Sequence, residues 1–117
     1  MAVEIEDAEF DALVARALDE LPEEIAALVA NVVVLVEEDA PADDPDLLGL
    51  YDGVALTERA ANHAGALPDR IFLFREPLRD MCDTLEELVE EIRITVVHEV
   101  AHHFGLDDAR LHTLGWG

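Results

Sequence analysis

The chain has 117 residues, 51% of them apolar, which suffices for one core and is too hydrophobic for a disordered segment. Its 28 acidic residues outnumber 7 basic ones, all arginine, for a net charge of −21 that repels phosphate backbones and anionic lipid; neither a nucleic acid nor a membrane is expected as a partner. The single cysteine, Cys82, excludes an internal disulfide and any cysteine-built zinc cage.

The opening MAVEIEDAEF lacks a basic segment followed by an apolar one, so no secretory signal is predicted. The longest largely apolar stretch, Ile25 to Val36, is too short to span a bilayer. The expectation is a cytoplasmic protein whose residues 1–117 form one domain. From there, Asp7 to Leu21 carries Phe10, Leu13, Val14, Ala17, Leu18 and Leu21 at helical spacing and is predicted to be an amphipathic helix. Pro22 suits the first turn of a second short helix, with Glu23 and Glu24 near its positive end. NVVVLVEE then changes character. Its five consecutive apolar residues, four of them β-branched, read as a strand buried on both faces. The acidic, proline-punctuated run EEDAPADDPD is a solvated loop.

LLGLYDGVALTER reads as a second strand or a hairpin, with Asp52-Gly53 as the turn. RIFLF, Arg70 to Phe74, is a third strand, and Pro77 to Cys82 a helical turn. Thr84 and Glu87 have capping-box spacing and start a long helix with a core stripe of Leu85, Leu88, Val89, Ile92 and Val96. Gly105 stands where a left-handed helix stop is expected, and Asp107 caps a last short helix, Asp108 to Leu114. Helices at both ends around a few strands predict an α+β layer fold.

The chemistry concentrates in TVVHEVAHHFGLDD, residues 95–108. On a helix, residues four apart share a face, so His98 and His102 present both imidazoles to one point. That is what a divalent metal requires of two ligands. Glu99 is rotated about 100° from His98 and reaches a water beside the metal rather than the metal itself. This division of labour defines HExxH: two neutral histidine ligands and a glutamate that takes the water's proton. Two histidines on this partly apolar face without a metal would suffer desolvation with no return.

A catalytic zinc needs a third protein ligand and an open position. No glutamate follows His102, leaving His103, Asp107, Asp108 and His112. His103 points about 100° away from His102 and suits a polar contact on the helix flank, while Asp107 suits a helix cap. Asp108, six residues past His102 and beyond the turn at Gly105, ranks first, and His112 second.

HEVAHHFGLDD followed by ARLHTLGWG, with LGLYDG and LPDRIFLF upstream, resembles the small bacterial zincin-like metallopeptidases, or minimal zincins, over roughly residues 5–117. The resemblance implies a reduced zincin-like fold, a few-stranded sheet packed on the motif helix. It implies Zn2+ held by His98, His102 and Asp108, with Glu99 as general base. Larger metzincins have a third histidine where this chain has Asp108, a methionine turn beneath the metal, and a second lobe. No methionine follows the motif here, and 15 residues remain after His102.

The activity expected is hydrolysis of peptide bonds in a peptide or protein substrate by a zinc-activated water. His112 or Tyr51 is an auxiliary candidate for polarising the carbonyl. The substrate would pair with a sheet edge offered by LLGLY or RIFLF, and the acidic surface would favour basic peptides. The alternative is a non-catalytic metal-binding or protein-interaction domain derived from a zincin fold. The number of protein ligands on the metal separates the two.

Overall fold

The computed structural model describes residues 5–53, 68–106 and 109. Helix α1, Asp7–Asp19, turns Phe10, Val14 and Ala17 inward. Helix α2, Glu23–Leu28, begins directly after Pro22 and buries Ile25. Strand β1 is Val33–Glu37, β2 Gly49–Asp52 and β3 Arg70–Phe74. Helix α3, Arg75–Asp80, starts where β3 ends and includes Pro77 in its first turn, where a missing N–H costs nothing. Helix α4, Leu85–His103, completes the described elements.

The architecture is α+β: a three-stranded mixed sheet in the order β1-β3-β2, backed by helices. Strands β1 and β3 run parallel with Leu35 opposite Phe72, and β2 runs antiparallel to β3 with Tyr51 opposite Ile71. RIFLF is therefore the central strand and not an edge; among the described residues LLGLY contributes an edge strand, β2. The prediction for β1 also needs correction. Its exposure alternates, with Val33 39% and Leu35 36% exposed, because β1 lies at an edge and the described elements cover one face. The covered face carries Ile71 and Leu73, both fully buried, with Val34 and Val36 packed against the core.

Helix α4 is the axis of that core. Leu88, Ile92, Val96, Val97 and Val100 expose no surface, and burial of such side chains contributes about 1.5–3 kcal/mol each. Its start is fixed by Thr84, whose Oγ1 accepts from the Glu87 N–H at 3.1 Å. The Glu87 carboxylate reaches back to the Asp83 N–H at 3.4 Å, one residue beyond the expected reciprocal partner, the Thr84 N–H. At the other end Gly105 adopts φ 71°. Its N–H donates to the His102 carbonyl at 3.4 Å, and the Leu106 N–H to the Ala101 carbonyl at 2.8 Å. This paired reversal is the Schellman stop that glycine permits without Cβ strain.

Cys82 is fully buried, and burial, followed by the carboxylates of Glu91, Glu87 and Asp83, pushes its thiol up to about 11. It is a core residue rather than a nucleophile. Among the described residues no helix is long and apolar enough to cross a membrane.

Candidate active site

The last turns of α4 carry the motif. His98 and His102 are both exposed, one turn apart, on the stripe that runs back through Thr95 and Glu91, so the desolvation expected of them on an apolar face does not arise. Glu99 is half-buried beside them. Its Oε1 accepts a hydrogen bond from the Tyr51 backbone N–H at 3.0 Å.

That donor has a cause in the ladder of β2. The Phe74 N–H donates to the Leu48 carbonyl at 3.0 Å, so the alternation of an antiparallel pair turns the backbone groups of Leu48, Leu50 and Asp52 toward β3. Those of Gly49 and Tyr51 turn away from β3. The strand lies close against α4 because position 49 is glycine: a Cβ there would come within 2.7 Å of Thr95 Cγ2 and 2.9 Å of the Phe72 carbonyl oxygen. Close approach of β2 to α4 is thus what lets a main-chain amide hold the Glu99 carboxylate.

The Tyr51 side chain is anchored from the other direction. Its hydroxyl donates to Asp69 Oδ2 at 2.7 Å. Its ring stacks on His103, with centroids 3.9 Å apart and planes at 17°, and Phe104 packs edge-on to both rings. His103 Nε2 lies 3.9 Å from Asp69 Oδ2. The flank contact expected of His103 is therefore a three-residue brace on Tyr51. Asp69 escapes a reading of the sequence, where nothing local connects it to residue 51 or 103.

Among the described residues no group of three or more metal-ligating side chains is assembled. His98 and His102 could donate two ligands to a zinc ion, and both are exposed. Asp108 and His112, the candidates for the third donor, lie outside the described residues. Beside His98 and Glu99 opens a groove of about 360 Å³, between α4 and the loop that leads into β2.

A family model described as zincin-like metallopeptidase matches residues 29–116. No curated protein matches the chain. Among solved structures, a conserved hypothetical protein from T. thermophilus is 23% identical, with a TM-score of 0.53 over 86% of this chain and 94% of that one. At that identity it shows a shared fold.

Proposed function

The chain belongs to the zincin-like metallopeptidases, and from that premise we propose that it hydrolyses peptide bonds with zinc as its metal. The observation that carries this reading is the Glu99 carboxylate, tied to the Tyr51 amide at 3.0 Å between two exposed imidazoles one turn apart. His98 and His102 hold the ion through neutral ring nitrogens, with Asp108 as third donor and His112 as the alternative. Zinc, when bound, supplies a Lewis acid that polarises the scissile carbonyl and makes water acidic near neutral pH.

Glu99 does the proton work. One oxygen stays with the Tyr51 amide, and the carboxylate takes the proton of the attacking water and delivers it to the departing amine nitrogen. The amide fixes the carboxylate's orientation, which keeps the acceptor within reach without a rotamer search. The substrate is oriented by β2. Gly49 turns its backbone groups away from β3, and an extended peptide pairing along that edge runs past His98 and Glu99. The Tyr51 hydroxyl, engaged by Asp69, braces β2 in this reading rather than contacting the carbonyl.

The test uses protein prepared without a histidine tag. Glu99→Gln is expected to retain one metal ion per chain by elemental analysis and to lose turnover of a peptide library. His98→Ala and His102→Ala should lose both. A Glu99→Gln protein that cleaves as well as the parent would remove the base from this mechanism. Comparing Asp108→Ala with His112→Ala identifies the third donor by which one releases the metal.

A further inference from the structure

Among the described residues β2 is an edge strand: one side pairs with β3, and the other turns to α4. Toward β3, Leu50 and Asp52 are secured by their register with Phe72 and Arg70. Toward α4 the main chain is linked by the Tyr51 N–H to Glu99 Oε1. That carboxylate is half-buried, so water competes for it, and the amide must be held in place from elsewhere.

Three contacts hold it. The Tyr51 ring lies flat on His103, with centroids 3.9 Å apart. Gly53, one step past the strand, closes on the same imidazole: a Cβ at this position would come within 2.8 Å of His103 Cε1. The end of β2 therefore sits directly on the last turn of α4. The third contact is the Tyr51 hydroxyl on Asp69 Oδ2, and at 2.7 Å it has the length of a charge-assisted bond.

Asp69 is the fixed end of this clamp. Its carbonyl accepts the Val33 N–H at 2.9 Å, which ties its main chain to the start of β1. Its side chain is 14% exposed and stands 3.9 Å from His103 Nε2 while accepting from Tyr51. One covered carboxylate thus adjoins both rings.

We propose that Asp69 is a positioning residue for the base: it holds Tyr51 where the main-chain amide grips the Glu99 carboxylate. The proposal rests on the reading of Glu99 as general base. Asp69 acts through Tyr51, whose ring and amide belong to one residue. Fixing the ring at its hydroxyl and on its face fixes the Cα that carries the N–H. Without Asp69 the ring keeps its stack but loses its far anchor, and the residue pivots on His103. Displacement by about 1 Å is enough to release the carboxylate, and misplacement on that scale costs of order a hundredfold in rate.

The first measurement needs no catalysis. Amide exchange at position 51 is followed by NMR in the full chain. The Phe74 amide, bonded to the Leu48 carbonyl at 3.0 Å, is the internal reference. Glu99→Ala gives the rate of the untethered amide. Asp69→Ala is expected to speed exchange at position 51 about tenfold, the effect of one charge-assisted hydrogen bond, and to leave Phe74 unchanged. Tyr51→Phe keeps the ring and deletes the hydroxyl; it should do the same, and it serves where Asp69→Ala does not fold. Asp69→Asn keeps an oxygen for the hydroxyl and should return exchange toward the parent rate. An unchanged rate at position 51 would break the link from Asp69 to Glu99. Equal acceleration at 51 and at Phe74 would reduce Asp69 to a fold-stabilising residue. Either result overturns the proposal.

The second measurement is peptide turnover by the zinc-loaded protein. In Asp69→Ala kcat should fall about tenfold or more, with KM near that of the parent and with Asp69→Asn restoring kcat. A loss confined to KM, or no loss while the amide responds, would also overturn the positioning role. A parent that cleaves no peptide, with the amide at 51 still answering to Asp69, would sink the peptidase reading and support the hold of Asp69 on Glu99.

Discussion

Helix α4 shows two faces to two environments. Along one, Leu88, Val89, Ile92, Val96 and Val100 are withdrawn from water; along the other, His98 and His102 stand in it, with Glu99 half-covered between. Backbone and capping are common to both faces, so the contrast lies in the side chains. One face holds the fold together. The other contributes little to folding and uses the rigidity that its opposite face provides. Stability and chemistry should therefore respond to different substitutions on the same helix.

The contrast can be tested by four changes of decreasing effect. Ile92→Ala removes a fully buried side chain and is expected to cost about 2–5 kcal/mol in denaturant unfolding, with metal content per folded chain unchanged. Gly49→Ala should cost about 1–3 kcal/mol, because the added Cβ meets a backbone oxygen that cannot swing aside. This is where the two faces touch: the forced separation of β2 from α4 also draws the Tyr51 amide from Glu99, so turnover should fall together with stability. Thr84→Ala deletes the N-cap acceptor and should cost about 1 kcal/mol by thermal or denaturant unfolding, with kcat per folded molecule retained. His98→Ala should change the stability of the metal-free protein by less than about 0.5 kcal/mol. If it destabilised the metal-free protein as much as Ile92→Ala, the imidazole would be a packing group and the division between the faces would be wrong.

Local signals were legible in the sequence and non-local ones were not. The Thr84 cap, the stripe from Leu88 to Val96 and the Gly105 stop are each set by residues within a few positions of one another, and each stands where the spacing placed it. Leu85 is the exception on that stripe, 38% exposed in the first turn. Strand β1 misled because apolar runs look alike whether one face is covered or two; coverage depends on the strand order, which places β3 between partners that both precede it in the chain. The two imidazoles were legible because helix periodicity alone sets their spacing. The braces on the site were not, since Tyr51, Asp69 and His103 are far apart in the chain and meet through contacts no motif encodes.

The tether on Glu99 is a main-chain amide, and main-chain groups are not encoded by the codon at their own position. Side-chain replacement at residue 51 therefore alters the ring stack and the link to Asp69 while the donor itself persists. Proline is the one natural residue that deletes that donor outright. Every other residue at position 51 brings its own backbone N–H, and the Glu99 carboxylate keeps a donor on the strand.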